Sequence, residues 1–390
     1  MISIKKKIIG GVAGSALLAA TSAYSATIGT FDNTTVKVGG YLKLDAISNS
    51  FSDGTLPTGS YGRDFYVPSL TPVGGKEENR TFDMHARQSR FHIGTDSIVG
   101  EHKLKTYIEM DFMVASNPNG DERVSNSYTP RMRQAYLEYD NWLFGQTWST
   151  FQNVGALPET ADFIGNTDFS IFIRQPQIRY TAGNFQFSIE NPESTITPNG
   201  GGARIVTDDN ELPDFVGRYN FKSGDLSLVA AVLARQLAYN DGAGLDDTIS
   251  SYGLSVSGKW MLGKDDIRFG VNTGSGMGRY IGLNVANGTV QKADGTLEAI
   301  DSTAYYAAYR HFWNAKWRSN ITWSAIDIDN DTALTGTAVT QSTYSARINL
   351  FYAATDKLIF GGEYAHANRE LESGADGNMD RFQFTAKLDF

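Results

Sequence analysis

From Val36 to Phe390, apolar side chains recur at every second position in segment after segment. The first segment sets Val36, Val38, Gly40, Leu42, Leu44 and Ala46 on one face and Lys37, Tyr41, Lys43 and Asp45 on the other. The last sets Phe382, Phe384, Ala386, Leu388 and Phe390 against Arg381, Gln383, Thr385, Lys387 and Asp389. Between them, Leu104, Thr106, Ile108, Met110 and Phe112 alternate with Lys105, Tyr107, Glu109 and Asp111. A period of two belongs to a strand with one face in an apolar medium and the other in water. No helical period is sustained past the first residues, so the chain reads as all-β and antiparallel.

About sixteen such segments can be marked out, and their connections alternate in length. Short turns such as Asp140-Asn141, Gly183-Asn184 and Ser223-Gly224-Asp225 are followed by long loops at 48–81, 116–129, 149–175, 191–213, 238–247, 281–302, 328–341 and 370–379. A sandwich or propeller gives no reason for every short turn to lie at one end and every long loop at the other. A transmembrane β-barrel does, with tight periplasmic turns and longer extracellular loops. In lipid every backbone amide needs a partner, so a sheet spans only when closed, and only its outer face need be apolar. Sixteen spans of roughly 9 to 11 residues use about 150 to 180 residues and enclose an aqueous lumen. The mean hydropathy of −0.30 follows, because half of each strand faces water. It also excludes a bundle of membrane helices. Trp142, Tyr219, Phe221, Trp260, Phe312, Trp313 and Trp317 are expected in an aromatic girdle at the short-turn end.

The N-terminus carries Lys5, Lys6 and Lys7, an apolar stretch from Ile8 to Ala20, and small residues at Ala23 and Ser25. This is the pattern of a secretory signal, predicted here over 1–25 with cleavage near Ser25 or Ala26, leaving 26–390 as a single barrel domain. Removing three lysines changes 34 − 43 = −9 to 31 − 43 = −12. An exported chain this acidic is a poor partner for nucleic acid. With no cysteine, no disulfide frame, zinc-thiolate centre or cysteine nucleophile can form.

Narrower signals are Val36-Lys37-Val38-Gly39-Gly40-Tyr41-Leu42-Lys43-Leu44-Asp45, Gly62-Arg63-Asp64-Phe65-Tyr66-Val67-Pro68, Ala86-Arg87-Gln88-Ser89-Arg90-Phe91, Phe144-Gly145-Gln146-Thr147-Trp148-Ser149-Thr150-Phe151 and the terminal Phe390. In these the chain resembles general-porin-like outer-membrane barrels and, more narrowly, the DcaP-like porins of Gram-negative bacteria. The resemblance implies a trimeric, sixteen-stranded diffusion channel in the outer membrane, with the third long loop folded into the pore and a preference for small anionic organic acids such as dicarboxylates. It implies no cofactor and no resident metal. It also implies that Phe390 is the assembly signal read by the barrel-assembly machinery and that outer-membrane lipids surround the wall. Some relatives carry an N-terminal helical extension; only about ten residues separate the leader from Val36 here, which leaves no room for one.

The residues point to anions on their own account. The polar strand faces direct Lys37, Lys43, Arg87, Lys105, Arg179, Arg218, Lys222, Lys259, Arg268, Arg310, Arg318, Arg347, Arg381 and Lys387 inward, against Asp45, Asp83, Glu109, Asp111, Glu190, Glu363 and Asp389. Many other acids sit in loops, as in Asp208-Asp209, Asp246-Asp247 and Asp329 to Asp331. Confined arginines attract carboxylates and can grip them through two parallel hydrogen bonds. The plainer reading is that these charges pair across strands and solvate the channel. Charges beside short turns, such as Lys222, Arg268 and Lys387, belong to the rim. Arg87, Arg90, Arg131, Arg133, Arg179 and Arg218 are the candidates for a substrate ladder. Parity shifts between Ala86 and Phe91, and between Met132 and Ala135, predict bulges that re-aim arginines inward. In loop 149–175, Glu159, Asp162 and Asp168 beside Arg174 are expected to face wall bases and set a transverse field at the constriction.

Two other classes compete. A barrel hydrolase would need a base such as His311 or His366, both on the apolar phase of their strands, but no G-x-S-x-G elbow accompanies them. An adhesin or receptor barrel would place its binding in the long loops. Asp327, Asp329 and Asp331 have the spacing of the start of a calcium loop, but Thr332 stands where the turn glycine belongs.

Overall fold

The computed structural model describes residues 25–113 and 124–390. The predicted signal segment, all but its last residue, and most of the 116–129 loop lie outside the described residues.

One closed antiparallel sheet of sixteen wall strands forms the barrel. The first wall strand, Thr34–Phe51, closes it by pairing with the last, Asp376–Asp389, from Tyr41↔Asp389 to Phe51↔Met379. Its other edge pairs with Arg90–Val99 below and Asn79–His85 above, which together make the second wall strand. The interruption between them is the break predicted from parity. Ala86 to Ser89 turn out of the ladder, and Ser89 Oγ accepts the amide of Lys43 at 3.1 Å. A further strand, Ser25–Phe31, continues the line of the last strand below Phe390 and covers the lower edge of the first.

The seam needs a glycine. Gly40 has φ +154, and a Cβ there would overlap the carbonyl oxygen of Arg90 and press on the Phe390 ring. That ring packs against Phe91 with centroids 5.8 Å apart.

Burial along the wall is reversed from that of a soluble sheet. In Asp246–Leu262, Leu254 and Val256 are about half exposed at 47% and 51%, whereas Ser255 and Ser257 are buried at 3% and 2%. The apolar face looks outward to lipid and the polar face inward, as the closed-sheet argument requires. Trp142, Tyr219, Phe221, Trp260, Trp313 and Trp317 are exposed at the short-turn rim. Phe312 departs from the predicted girdle: it lies on the lumen side beneath the Arg310 guanidinium, 5.0 Å from its centroid.

The lumen is filled unevenly. Loops 191–213 and 276–300 build a four-stranded sheet at the long-loop end from Ser194–Thr197, Ile205–Thr207, Thr289–Gln291 and Leu297–Ala299. Beneath it, Phe151, Phe169 and Ile171 of the third long loop pack with Met277, Tyr280, Ile281 and wall residues Leu233, Tyr306 and Ile326 into one apolar cluster. The first long loop also turns inward. Its short helix Tyr61–Asp64 and the following Phe65 and Tyr66 are largely buried against the third loop and the wall, an arrangement the sequence reading did not include.

Candidate functional site

The third loop, 149–173, crosses the lumen and docks on the strands between residues 301 and 389. Each of its acids is held there. Glu159 accepts two hydrogen bonds from Arg318, at 2.8 and 2.5 Å, and lies 3.9 Å from Arg310. Asp162 accepts from Arg381 at 3.0 Å and from the Tyr66 backbone, with Arg347 at 3.5 Å. Asp168 is bound by hydroxyls alone: Tyr66 at 2.7 Å, Ser324 at 2.7 Å, Thr343 at 2.6 Å and Ser345 at 2.6 Å. Glu363 of the wall accepts the loop amide of Ala161 at 2.9 Å. Lys43 donates to the Ala161 carbonyl at 2.7 Å.

The loop does not itself span the bilayer, and two of its carboxyls, Glu159 and Asp162, are held below their ordinary range. Burial pushes Asp162 up, but Arg347, Arg381 and the Ile164 and Tyr66 amides outweigh it and hold it below the ordinary carboxylate range. Burial likewise opposes Glu159, and Arg318 and Arg310 prevail.

These contacts revise the transverse-field expectation. The loop acids do not sit beside Arg174 or face wall bases across a gap; Glu159 and Asp162 are paired with arginines where they dock, and Asp168 is held by hydroxyls. Arg174 instead opens the wall strand Arg174–Ala182 and stacks between Trp148 and Phe172, 4.8 and 5.1 Å from their centroids.

The opposite wall gathers most of the predicted arginines. The second predicted bulge is present: opposite Glu109 and Met110, Arg133 is the extra residue, and both Arg133 and Gln134 turn inward. Arg133 bonds Glu109 at 2.8 Å and Asp111 at 2.9 Å, and Arg131 clasps Asp111 through two bonds of 2.9 Å. Arg90 lies 3.9 Å from Glu109 and over the Tyr41 ring. Arg87 pairs with Asp64 of the first loop and stands over Tyr128. The rings of Trp148 and Phe163 are shared by Arg133, Arg174 and Arg131. At this height four guanidiniums, Arg90, Arg131, Arg133 and Arg174, face two carboxylates, Glu109 and Asp111. Arg179 and Arg218 lie lower, nearer the short turns, and are held by carbonyls, a hydroxyl and amides rather than by acids.

Sequence reading missed several partners. Asp266 is buried in the lumen and pairs with Arg268 and Arg310; its parity with Arg268 was the available signal. Asp214 pairs with Arg235 at 3.2 Å and Arg279 at 3.3 Å, and Glu138 with Lys105 at 3.6 Å. The wall is therefore less basic than the strand faces suggested. Arg63, which pairs with Asp83 at 2.6 Å, and Asp64 could not have been found this way, because no periodicity announces that a loop folds inward.

His311 and His366, the two candidate hydrolase bases, are occupied on the outer wall. His311 and Tyr309 share the Asp265 carboxylate at 2.8 Å each, and His366 and Tyr364 share Asp380 at 2.9 and 2.5 Å. Asp327 accepts from Tyr305, and Asp331 caps the helix Thr332–Thr335, so these two acids of the calcium-like run are engaged separately. No group of three or more potential metal ligands occurs among the described residues.

A family model described as DcaP outer membrane protein matches residues 20–390. The chain belongs to this family. It is an outer-membrane protein with the porin fold, and the solved structures that share this fold are porins and channels rather than enzymes. Among solved structures, the outer membrane channel DcaP of Acinetobacter baumannii is similar at 24% identity and TM-score 0.76, covering 94% of this chain and 100% of that one. An anion-selective porin from Comamonas acidovorans shares the fold at 10% identity and TM-score 0.56, covering 92% of this chain and 100% of that one. OmpF of Salmonella typhi, solved with daunomycin, does so at 12% identity and TM-score 0.54, covering 92% and 98%. None of the curated proteins compared with the chain matches it. Within this DcaP-family barrel, the inward-folded third loop and the arginine-lined wall facing it form the candidate constriction.

Proposed function

We propose that this DcaP-family channel admits small hydrophilic solutes with a preference for anionic organic acids, dicarboxylates among them. One observation carries the reading: the acids of the crossing loop are all engaged in docking, while Arg174, Arg179 and Arg218 on the facing wall have no carboxylate within ion-pair distance among the described residues. A solute passing the loop meets uncompensated positive charge in a confined space, where a guanidinium binds a carboxylate strongly. Arg87, Arg90, Arg131 and Arg133 extend this surface upward. Their own carboxylate partners make them positioning groups that exchange hydrogen bonds with a passing anion, and Glu159, Asp162 and Asp168 act by fixing the loop.

Reversal potentials in a KCl gradient across planar bilayers test the preference. Replacing Arg174, Arg179 and Arg218 together by alanine should move the potential from the chloride side to near zero, and an unchanged value defeats the reading. Liposome swelling with mono- and dicarboxylates ranks the solutes. The resemblance to trimeric porins supports a homotrimer inserted through its Phe390 signal after leader removal, and native mass in detergent tests the assembly.

A further inference from the structure

Arg179 and Arg218 stand on wall strands Arg174–Ala182 and Asp214–Ser223, with Phe185–Glu190 between them. Their heads converge on the root of the third loop. Arg179 donates to Thr150 Oγ1 at 2.8 Å, the Trp148 carbonyl at 2.6 Å and Gln177 Oε1. Arg218 donates to the Gln152 carbonyl at 2.7 Å, the Thr150 carbonyl at 3.4 Å and Asn220. Every acceptor is neutral. The neighbouring acid Glu190 makes no ion pair with either arginine and accepts instead from the Thr150 amide, Ser188, Gln175 and Tyr280 at 2.8, 2.9, 2.6 and 3.3 Å. Nη1 of Arg179 and Nη2 of Arg218 take no part in these bonds.

Two like charges are thus fixed on one residue, Thr150, with no carboxylate in ion-pair contact among the described residues and one donor nitrogen each outside these bonds. Repulsion between them is relieved when an anion binds. Their carbonyl and amide contacts orient the donors in advance, which lowers the ordering penalty on binding. Both lie on the short-turn side of the loop.

We propose that Arg179 and Arg218 form an oxyanion-binding site on the periplasmic side of the constriction, taking the carboxylate of a permeating acid or an inorganic phosphate. This rests on the anion preference proposed above. It goes further in placing the retaining step below the loop, so that the channel treats anions differently from its two sides. Anions arriving from the periplasmic face reach the pair before the loop. Those from outside reach it only after passing the loop.

The test is single-channel recording of the full-length protein in planar bilayers, with succinate and inorganic phosphate added in separate experiments to either side. The expected result is anion-dependent current interruptions, more frequent from the short-turn side. In Arg179→Gln/Arg218→Gln their dwell time should fall roughly tenfold, as loss of charge-assisted bonds implies. Arg179→Lys/Arg218→Lys, which keeps the charge, should fall between. Lys222→Gln, which removes a rim charge at the same end, should leave the dwell time as it was. A response to succinate alone assigns a carboxylate site, and a response to both assigns a general oxyanion site. Heat-modifiable migration of each variant verifies that the barrel is folded. Unchanged interruptions in a folded Gln variant overturn the site, as does block that is symmetric between sides. If wild-type protein shows no anion selectivity in a KCl gradient, the underlying preference fails; if it is selective but the Gln variant blocks normally, only the site fails.

Discussion

The two sides of the lumen use arginine in opposite ways. Between residues 301 and 389, Arg310, Arg318, Arg347 and Arg381 are directed at Glu159, Asp162, Glu363 and Asp266, and the product is a docked loop. Between residues 174 and 223, Arg174, Arg179 and Arg218 are held by aromatic rings, carbonyls and amides, and the product is positive charge without a carboxylate in ion-pair contact among the described residues. Residue type is the same on both sides, and the partner decides the role. A buried arginine facing a carboxylate is a strut, whereas one facing neutral acceptors keeps its charge for whatever enters the lumen.

The largest effect should come from breaking a strut. Asp162→Ala leaves Arg347 and Arg381, both about 1% exposed, without their shared carboxylate, and losing one partner of a buried pair costs about 3–5 kcal/mol. Urea or thermal unfolding in detergent should show that loss, and recordings should show an unsteady open channel. Arg174→Ala, from the other side, should leave stability within about 1 kcal/mol. Equal destabilisation by both would erase the distinction.

Acid titration sharpens the comparison next. Asp162 and Glu159 have carboxyl pKa values lowered by folding. Their stabilising contribution is therefore complete above the unfolded carboxylate pKa of about 4 and is lost only as pH falls through the lower folded values. Open-channel noise should stay constant from pH 8 to 5 and rise only in more acidic solution. Onset near pH 6 would mean that a different group fixes the loop.

The smallest effect tests the hydroxyl cradle. Ser345→Ala removes one of four hydroxyls from Asp168, and one hydrogen bond to a charged group contributes about 1.5–3 kcal/mol at most. The remaining three donors should hold the carboxylate, so the expected loss is near the low end, with selectivity unchanged.

The barrel was legible in the sequence because alternation and turn length are local and each strand repeats them. Both predicted bulges were legible for the same reason: a lost parity around Arg87 and Arg133 is visible without knowing what lies opposite. Asp266 was overlooked although its parity with Arg268 exposed it. The partners of Glu159 and Asp162 were not legible, since Arg318 and Arg381 lie far along the chain and pairing across a lumen leaves no mark on either segment. The inward fold of Tyr61–Asp64 was hidden in the same way, as a loop has no period to read.

The alternating pattern, by itself, determined that this chain closes into a barrel with a watery interior, because open sheet edges have no partners in lipid. It also determined which side chains of the wall strands face that interior. Which of those charges cancel and which remain was decided only by the tertiary structure, because an ion pair depends on distances of a few ångströms between residues that the chain order leaves unrelated.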